Sequence, residues 1–267
     1  MIITTKGIYT SIESIRSKSP VVHNITNYVV MNSTANALLA IGASPVMAHA
    51  EEEVEDMVNI ASALVINIGT LSERWINSMF KAAHQARKNG IPVILDPVGA
   101  GATAYRTKTA RELMNNEPPA IIRGNASEIM ALYDDKSRTK GVDSATSSDA
   151  AIDIAQKLSE IYKCIICVSG PTDYVIDKKK IITIKNGHPL MSRVTGFGCT
   201  ASALCGAFAA VEKMPFTATA MAMAVMGIAG EMAAGVSAGP GSLQTNFLDI
   251  LYHLKESDIK KHLKFED

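Results

Sequence analysis

The chain has 267 residues, with 26 lysines and arginines against 26 aspartates and glutamates. It therefore carries no net field to recruit nucleic acid or an anionic membrane. Hydrophobic residues make up 47% and aromatics 5%, which predicts a core of Ala, Val, Ile and Met in one large α/β domain or two small ones.

Taken in order, residues 11–19 read as a short polar helix that Pro20 ends, and residues 20–27 as a strand running into a polar loop. Asn27 or Asn32 starts the next helix, which ends near Ile41 with Gly42 as its C-terminal cap. Residues 45–48 form a short strand, and residues 51–60 a helix whose carboxylates favour its start. ALVINIG (63–69) and PVILDPV (92–98) are apolar on both faces, as buried parallel strands are. Between them Ser72 caps a helix that Gly90 stops. Residues 105–116 are helical, 120–125 extended, 148–162 helical and 163–170 extended. Residues 174–177 and 180–185, joined by Lys178 and Lys179, read as an antiparallel hairpin, and everything from Thr200 onward as helix. Strands alternating with helices imply a right-handed, mostly parallel α/β sheet flanked by helices on both faces, with the hairpin at one edge. No linker or repeat interrupts it, so a single domain over residues 1–267 is expected.

No apolar run reaches a membrane span; the nearest, residues 218–234, is interrupted by Gly227, Gly230 and Glu231. The first twenty residues lack a continuous apolar core and a cleavage site. With four cysteines and no secretory context, reduced thiols in a cytoplasmic protein are expected. Cys164 and Cys167 have CxxC spacing, but on a strand their side chains point to opposite faces, so a structural reading is favoured.

The stretch VTGFGCTASA (194–203) carries the strongest chemical signal. Gly196 and Gly198 let a ligand approach the main chain, and the helix that follows offers unpaired N–H groups to an anion. Cys199 sits at that turn, where the helix dipole favours a thiolate and predicts proton exchange near neutral pH. The stretch fits phosphoryl transfer to an alcohol. It also fits a tight loop before a buried helix, with Cys199 as a packed hydrophobe. Ligands of open α/β sheets bind outside the strands' carboxyl ends, which singles out Met47, Gly69, Asp96, the segment from Arg123 to Asn125, and Ser169 with Gly170. Asp96 and Glu128 are two carboxylates of the kind Mg²⁺ on a nucleotide asks for. Alternatively, Asp96 is a turn residue ahead of proline and Glu128 serves the helix dipole. Arg123 ends a buried strand and calls for an anion, phosphate being a natural partner.

VVHNITNYVVMNSTANALLAIGASPVMAHAEEEV, ALVINIGTL, PVILDPVGAGAT, AIIRGNASEI and VTGFGCTASA together resemble the hydroxyethylthiazole kinases, in the ribokinase-like superfamily. The resemblance implies a ribokinase-like fold and ATP-dependent, Mg²⁺-assisted phosphorylation of 4-methyl-5-(2-hydroxyethyl)thiazole in thiamine salvage. It further implies homotrimers with sites at subunit boundaries. Residue by residue, it assigns Met47, Gly196, Asn27 and Gly69 to the thiazole and Arg123, Ser169 and Gly198 to the nucleotide phosphates. Asp96 and Glu128 fall to magnesium. Cys199 stands where the wider superfamily has Asp as base for the substrate hydroxyl, and is the candidate to accept or relay that proton. Phe197 departs from the small residue often found between the two glycines, which can narrow the pocket. Two rivals stand beside this: a superfamily kinase acting on hydroxymethylpyrimidine or pyridoxal, and a non-catalytic vitamin-binding protein. Cys199 and Met47 argue against the first, and the magnesium carboxylates against the second.

Overall fold

The computed structural model describes residues 3–133 and 147–267. Six strands run parallel: β1 (Val21–Ile25), β2 (Ser44–Val46), β3 (Ala63–Asn67), β4 (Val93–Asp96), β5 (Ile121–Asn125) and β6 (Ile165–Ser169). Three more follow antiparallel: β7 (Asp173–Asp177), β8 (Lys180–Ile184) and β9 (Phe265–Glu266). Among the described residues they form one sheet in the order β2-β1-β3-β4-β5-β6-β7-β8-β9.

The helices in chain order are α1 (Thr5–Lys18), α2 (Met31–Ile41), α3 (Val54–Ile60), α4 (Glu73–Asn89), α5 (Ala104–Asn116), α6 (Ala126–Leu132) and α7 (Ser147–Tyr162). The remainder are α8 (Phe197–Ala209), α9 (Pro215–Gly235), α10 (Pro240–His253) and α11 (Glu256–His262). Successive strand side chains alternate between faces, and two cores result. Val22, Val65, Ile94 and Ile121 meet α1, α2 and α8–α11 on one face. Leu64, Ile66, Leu95 and Ile122 meet α3–α7 on the other. Cys167 lies in the first core and Cys164 in the second, as alternation requires.

Local signals set several boundaries. The Ser72 hydroxyl accepts the Trp75 backbone N–H at 3.4 Å to start α4, and Gly90 ends it with a φ of 68°. Gly42 closes α2 with a φ of 104°. Elsewhere tertiary burial overrides the pattern. The first helix begins at Thr5, not residue 11, because Thr4 caps it and Ile8, Ile12 and Ile15 bury one stripe. Neither Asn27 nor Asn32 caps α2: Val30 holds that place without a side-chain bond, and Asn27 turns inward. The chain after Thr200 is not wholly helical, since β9 pairs with β8 and replaces the hairpin as the sheet edge. Helix α9 is long and apolar enough to cross a membrane by length and composition, contrary to the expectation that no run would be. Yet 83% of its apolar window is buried inside the fold, as in a core helix.

Candidate active site

The carboxyl ends of β4, β5 and β6 and the start of α8 enclose a cavity of about 210 Å³. Asp96, Arg123, Glu128, Ser169, Gly196, Gly198 and Cys199 all line it, so seven of the ten residues to which the resemblance assigns roles converge. Asn27 and Gly69 stand behind them. Asn27 reaches Cys199 Sγ at 3.4 Å, and a Cβ on Gly69 would lie 2.6 Å from Asn27 Nδ2. Met47 is not brought in; it is half-buried just past β2, the strand at the far edge of the parallel region.

Gly196 caps α8 with a φ of 86°, a left-handed conformation that glycine tolerates best. Any Cβ there would lie 2.7 Å from Val30 Cγ1. The first turn leaves the N–H groups of Phe197, Gly198 and Cys199 outside the helix's own bonding, a cradle for an anion. Phe197 does not line that cavity; its ring packs tilted against Phe247, with centroids 4.8 Å apart. Gly198 is seated on the guanidinium: a Cβ would come within 2.9 Å of Arg123 Nη1.

Arg123 Nη2 donates to Ser169 Oγ at 2.8 Å. Burial weakens the guanidinium's hold on its proton, but Asp96 and other neighbouring groups more than offset this, and its pKa is raised. Asp96 is buried, and burial lifts its carboxyl from 3.8 to about 6 against the pull of Arg123. Its Oδ2 accepts from Asn67 Nδ2 at 2.8 Å and from Ser202 Oγ at 2.7 Å, whereas Oδ1 has no partner. A buried carboxylate oxygen without a partner, on a residue that lines a cavity, fits a hard cation such as Mg²⁺. Glu128 completes a capping box at α6: Oε2 accepts the Asn125 N–H and Oε1 the Gly99 N–H, each at 2.8 Å. Its helix role and its place in the cavity thus coexist, and its oxygens retain lone pairs.

Cys199 departs from expectation. Its thiol is pushed up to about 11, by burial first and then by the Asp96 charge. One helix turn's dipole favours a thiolate, but desolvation beside a carboxylate outweighs it. At neutral pH the group is a thiol.

A second cavity of about 590 Å³ shares Arg123, Ser169 and Gly198 with the first. Its walls are apolar: Met191, Met223, Met226 and Pro189, closed by the segment from Asn186 to His188. Asn186 ties that wall to the end of α11 and the chain beyond it, donating to His262 O at 2.7 Å and accepting the Lys264 N–H at 2.8 Å.

Sequence reasoning missed several residues. Asn67 and Ser202 hold Asp96. Arg106 donates from Nη1 to Ile68 O at 3.1 Å and Val98 O at 2.7 Å, and from Nη2 to Gly69 O at 2.7 Å. Asp173 lines the large cavity, and burial raises its carboxyl to about 6. Asn67 alone left a signal, a polar residue closing the apolar run ALVIN as Asp96 closes VILD.

An anion cradle, a half-buried arginine and carboxylates from the end of β4 and the first turn of α6 define a kinase of ribokinase-like fold. The architecture is shared with a ribokinase-like superfamily protein of Enterococcus faecalis, with a TM-score of 0.65 at 16% identity over 92% of this chain and 88% of that one. A model of the hydroxyethylthiazole kinase family matches residues 12–257. A hydroxyethylthiazole kinase of Syntrophus aciditrophicus is 61% identical over 265 residues, 99% of this chain and 98% of the relative. The structure of the hydroxyethylthiazole kinase protein from Pyrococcus horikoshii superposes with a TM-score of 0.91 at 43% identity, covering 98% of both chains. The chain belongs to the hydroxyethylthiazole kinase family.

Proposed function

We propose that the protein transfers the terminal phosphoryl group of ATP to the primary hydroxyl of 4-methyl-5-(2-hydroxyethyl)thiazole, a thiamine-salvage reaction. The observation that carries this reading is the shared wall of the two cavities. Arg123, Ser169 and Gly198 border both the polar 210 Å³ space and the apolar 590 Å³ space. A nucleoside fits the larger space, and its phosphates then run past Arg123 towards the cradle. Asn27, Gly69 and Gly196 take the thiazole side, and Met47, which lies away from this cavity within one chain, would join them from a neighbouring subunit.

Asp96, through Oδ1, and Glu128 would hold Mg²⁺, which supplies neutralising charge to the phosphates when bound. Phosphoryl transfer passes through a loose transition state, so positioning and charge stabilisation make up most of the catalysis. Arg123 and the amides of residues 197–199 stabilise charge on the phosphoryl oxygens. A neutral Cys199 thiol orients the acceptor hydroxyl and, late in transfer, takes the hydroxyl proton as its own S–H proton passes to an oxygen of the transferred phosphoryl group.

The same reading has a single domain acting as a cytoplasmic homotrimer with sites at subunit boundaries. Tyr28 and Val29, next to Asn27, are 63% and 65% exposed. An apolar pair at the rim of a site suits a neighbouring subunit. Light scattering tests this; a fully active monomer would refute the shared site.

The test of function is ADP release with ATP and Mg²⁺ on hydroxyethylthiazole, hydroxymethylpyrimidine, pyridoxal and ribose. Turnover confined to the thiazole is expected. Turnover on another alcohol alone overturns the substrate, and silence on all four overturns the kinase reading.

A further inference from the structure

Asn67 closes β3 directly beside Asp96 at the end of β4, and the two are register partners. Its side chain is buried, at 1% exposure, and its amide is engaged at both ends. The amide oxygen accepts the Gly69 backbone N–H at 3.0 Å and Asn27 Nδ2 at 2.9 Å. The amide nitrogen donates to Asp96 Oδ2 at 2.8 Å. A backbone N–H can only donate, so the Gly69 contact fixes which way the amide faces. The donors therefore run in one direction, from Asn27 to Asn67 to Asp96, an order in which each bond polarises the next. Asn27 Nδ2 also touches Cys199 Sγ, at 3.4 Å. At the far end Ser202 Oγ adds a second donor to Asp96 Oδ2. Both donors crowd onto one carboxylate oxygen, and Oδ1 is the one left over in a residue that lines the small cavity.

We propose that Asn67 is a positioning residue that couples the two sides of the reaction centre. Its nitrogen locks Asp96 with Oδ1 free for the phosphate side, and its oxygen anchors Asn27 and Gly69 on the acceptor side. The inference deepens the kinase reading and rests on it. Asn67 touches neither substrate; it acts through Asp96 and Asn27.

The test uses the full chain and compares wild type with Asn67→Asp, Asn67→Ser, Ser202→Ala and Asn27→Ala. Steady-state kcat and KM are measured with ATP and the thiazole, and thiazole binding without nucleotide is measured by calorimetry. Absence of wild-type thiazole turnover would refute the kinase reading before any variant is compared. Given that turnover, Asn67→Asp keeps both acceptor contacts and replaces the donation to Asp96 by a carboxylate facing its Oδ2. Its kcat should fall by about tenfold to a hundredfold, with thiazole affinity within about twofold of wild type. Ser202→Ala should share that signature in weaker form, and Asn27→Ala should weaken thiazole binding. Asn67→Ser, the smaller change should the aspartate fail to fold, releases both sides and should lower kcat and thiazole affinity together. A merely structural Asn67 would lower the melting temperature and leave both quantities within about twofold, which would overturn the proposal. So would an Asn67→Asp variant that loses thiazole affinity and keeps kcat.

Discussion

The two cavities are built from opposite materials. Away from Arg123, Ser169 and Asp173, the 590 Å³ space is walled largely by methionines, prolines and glycines, and its shape follows from how closely one segment lies on α9. Gly227 and Gly230 make this contact: a Cβ on Gly227 would sit 2.6 Å from Asn186, and one on Gly230 2.2 Å from Met191 Sδ. The 210 Å³ space is walled mainly by charges and backbone groups, its charged side chains held by named hydrogen bonds from other elements. The first is a fitted surface that selects by volume. The second is a preorganised field that stabilises developing charge, and such a field depends on placement to within tenths of an ångström.

Substitutions should therefore separate the two, and the largest effect belongs to the polar cavity. Asp96→Asn keeps the shape and removes the charge; kcat should fall by about 10²–10³, read in the ADP-release assay. The same variant isolates a pH effect on stability. Asp96 in the folded chain is raised from 3.8 to about 6, so its contribution is fully present below 3.8 and is lost as pH climbs through about 6. Thermal melts without metal should show wild type losing stability relative to Asp96→Asn across that window; parallel curves would mean the carboxyl titrates normally. Next comes Gly198→Ala, whose Cβ would press on Arg123 Nη1 at the wall common to both cavities. A displaced guanidinium should lower kcat by up to about a hundredfold, and full activity would show that the seat is not needed.

Gly227→Ala tests the fitted surface. Overpacking against Asn186 should cost about 1–3 kcal/mol of stability and raise KM for ATP more than it lowers kcat. A fall in kcat alone would blur the distinction between the cavities. The smallest effect is expected for Cys199→Ala. With the thiol neutral at assay pH, the loss should stay below the ~10² that marks the lower end of general-base catalysis. A larger loss would return the base role to Cys199.

Asp96 was legible in the sequence because a charge ending an apolar strand demands an explanation, and Arg123 because a guanidinium near the end of one does too, although it sits in the middle of β5 and Asn125 ends it. The glycine cradle was legible because Gly196 and Gly198 precede a helix of small residues. Asn67 left only a faint signal, one polar residue inside the apolar run ALVINIG, and its role is hidden until its register with Asp96 is known. Ser202 was hidden inside a run of small helix residues, 106 positions from the carboxylate it holds. Cys199 shows the limit most clearly. The helix dipole is a local effect readable from neighbouring residues, whereas burial and the Asp96 charge come from across the fold. β9 was invisible for a similar reason: two residues carry no period, and only the edge of β8 makes them a strand.

Arg106 has a consequence in time as well as space. Its guanidinium holds carbonyls from the loop after β3, at Ile68 and Gly69, and from the loop after β4, at Val98. Opening either loop alone would strand a charged donor half out of water, so the two fluctuate as one cooperative unit. Breathing at this end of the sheet is thus shared between the acceptor side and the carboxylate side, and slow amide hydrogen exchange should appear in both loops at a common rate.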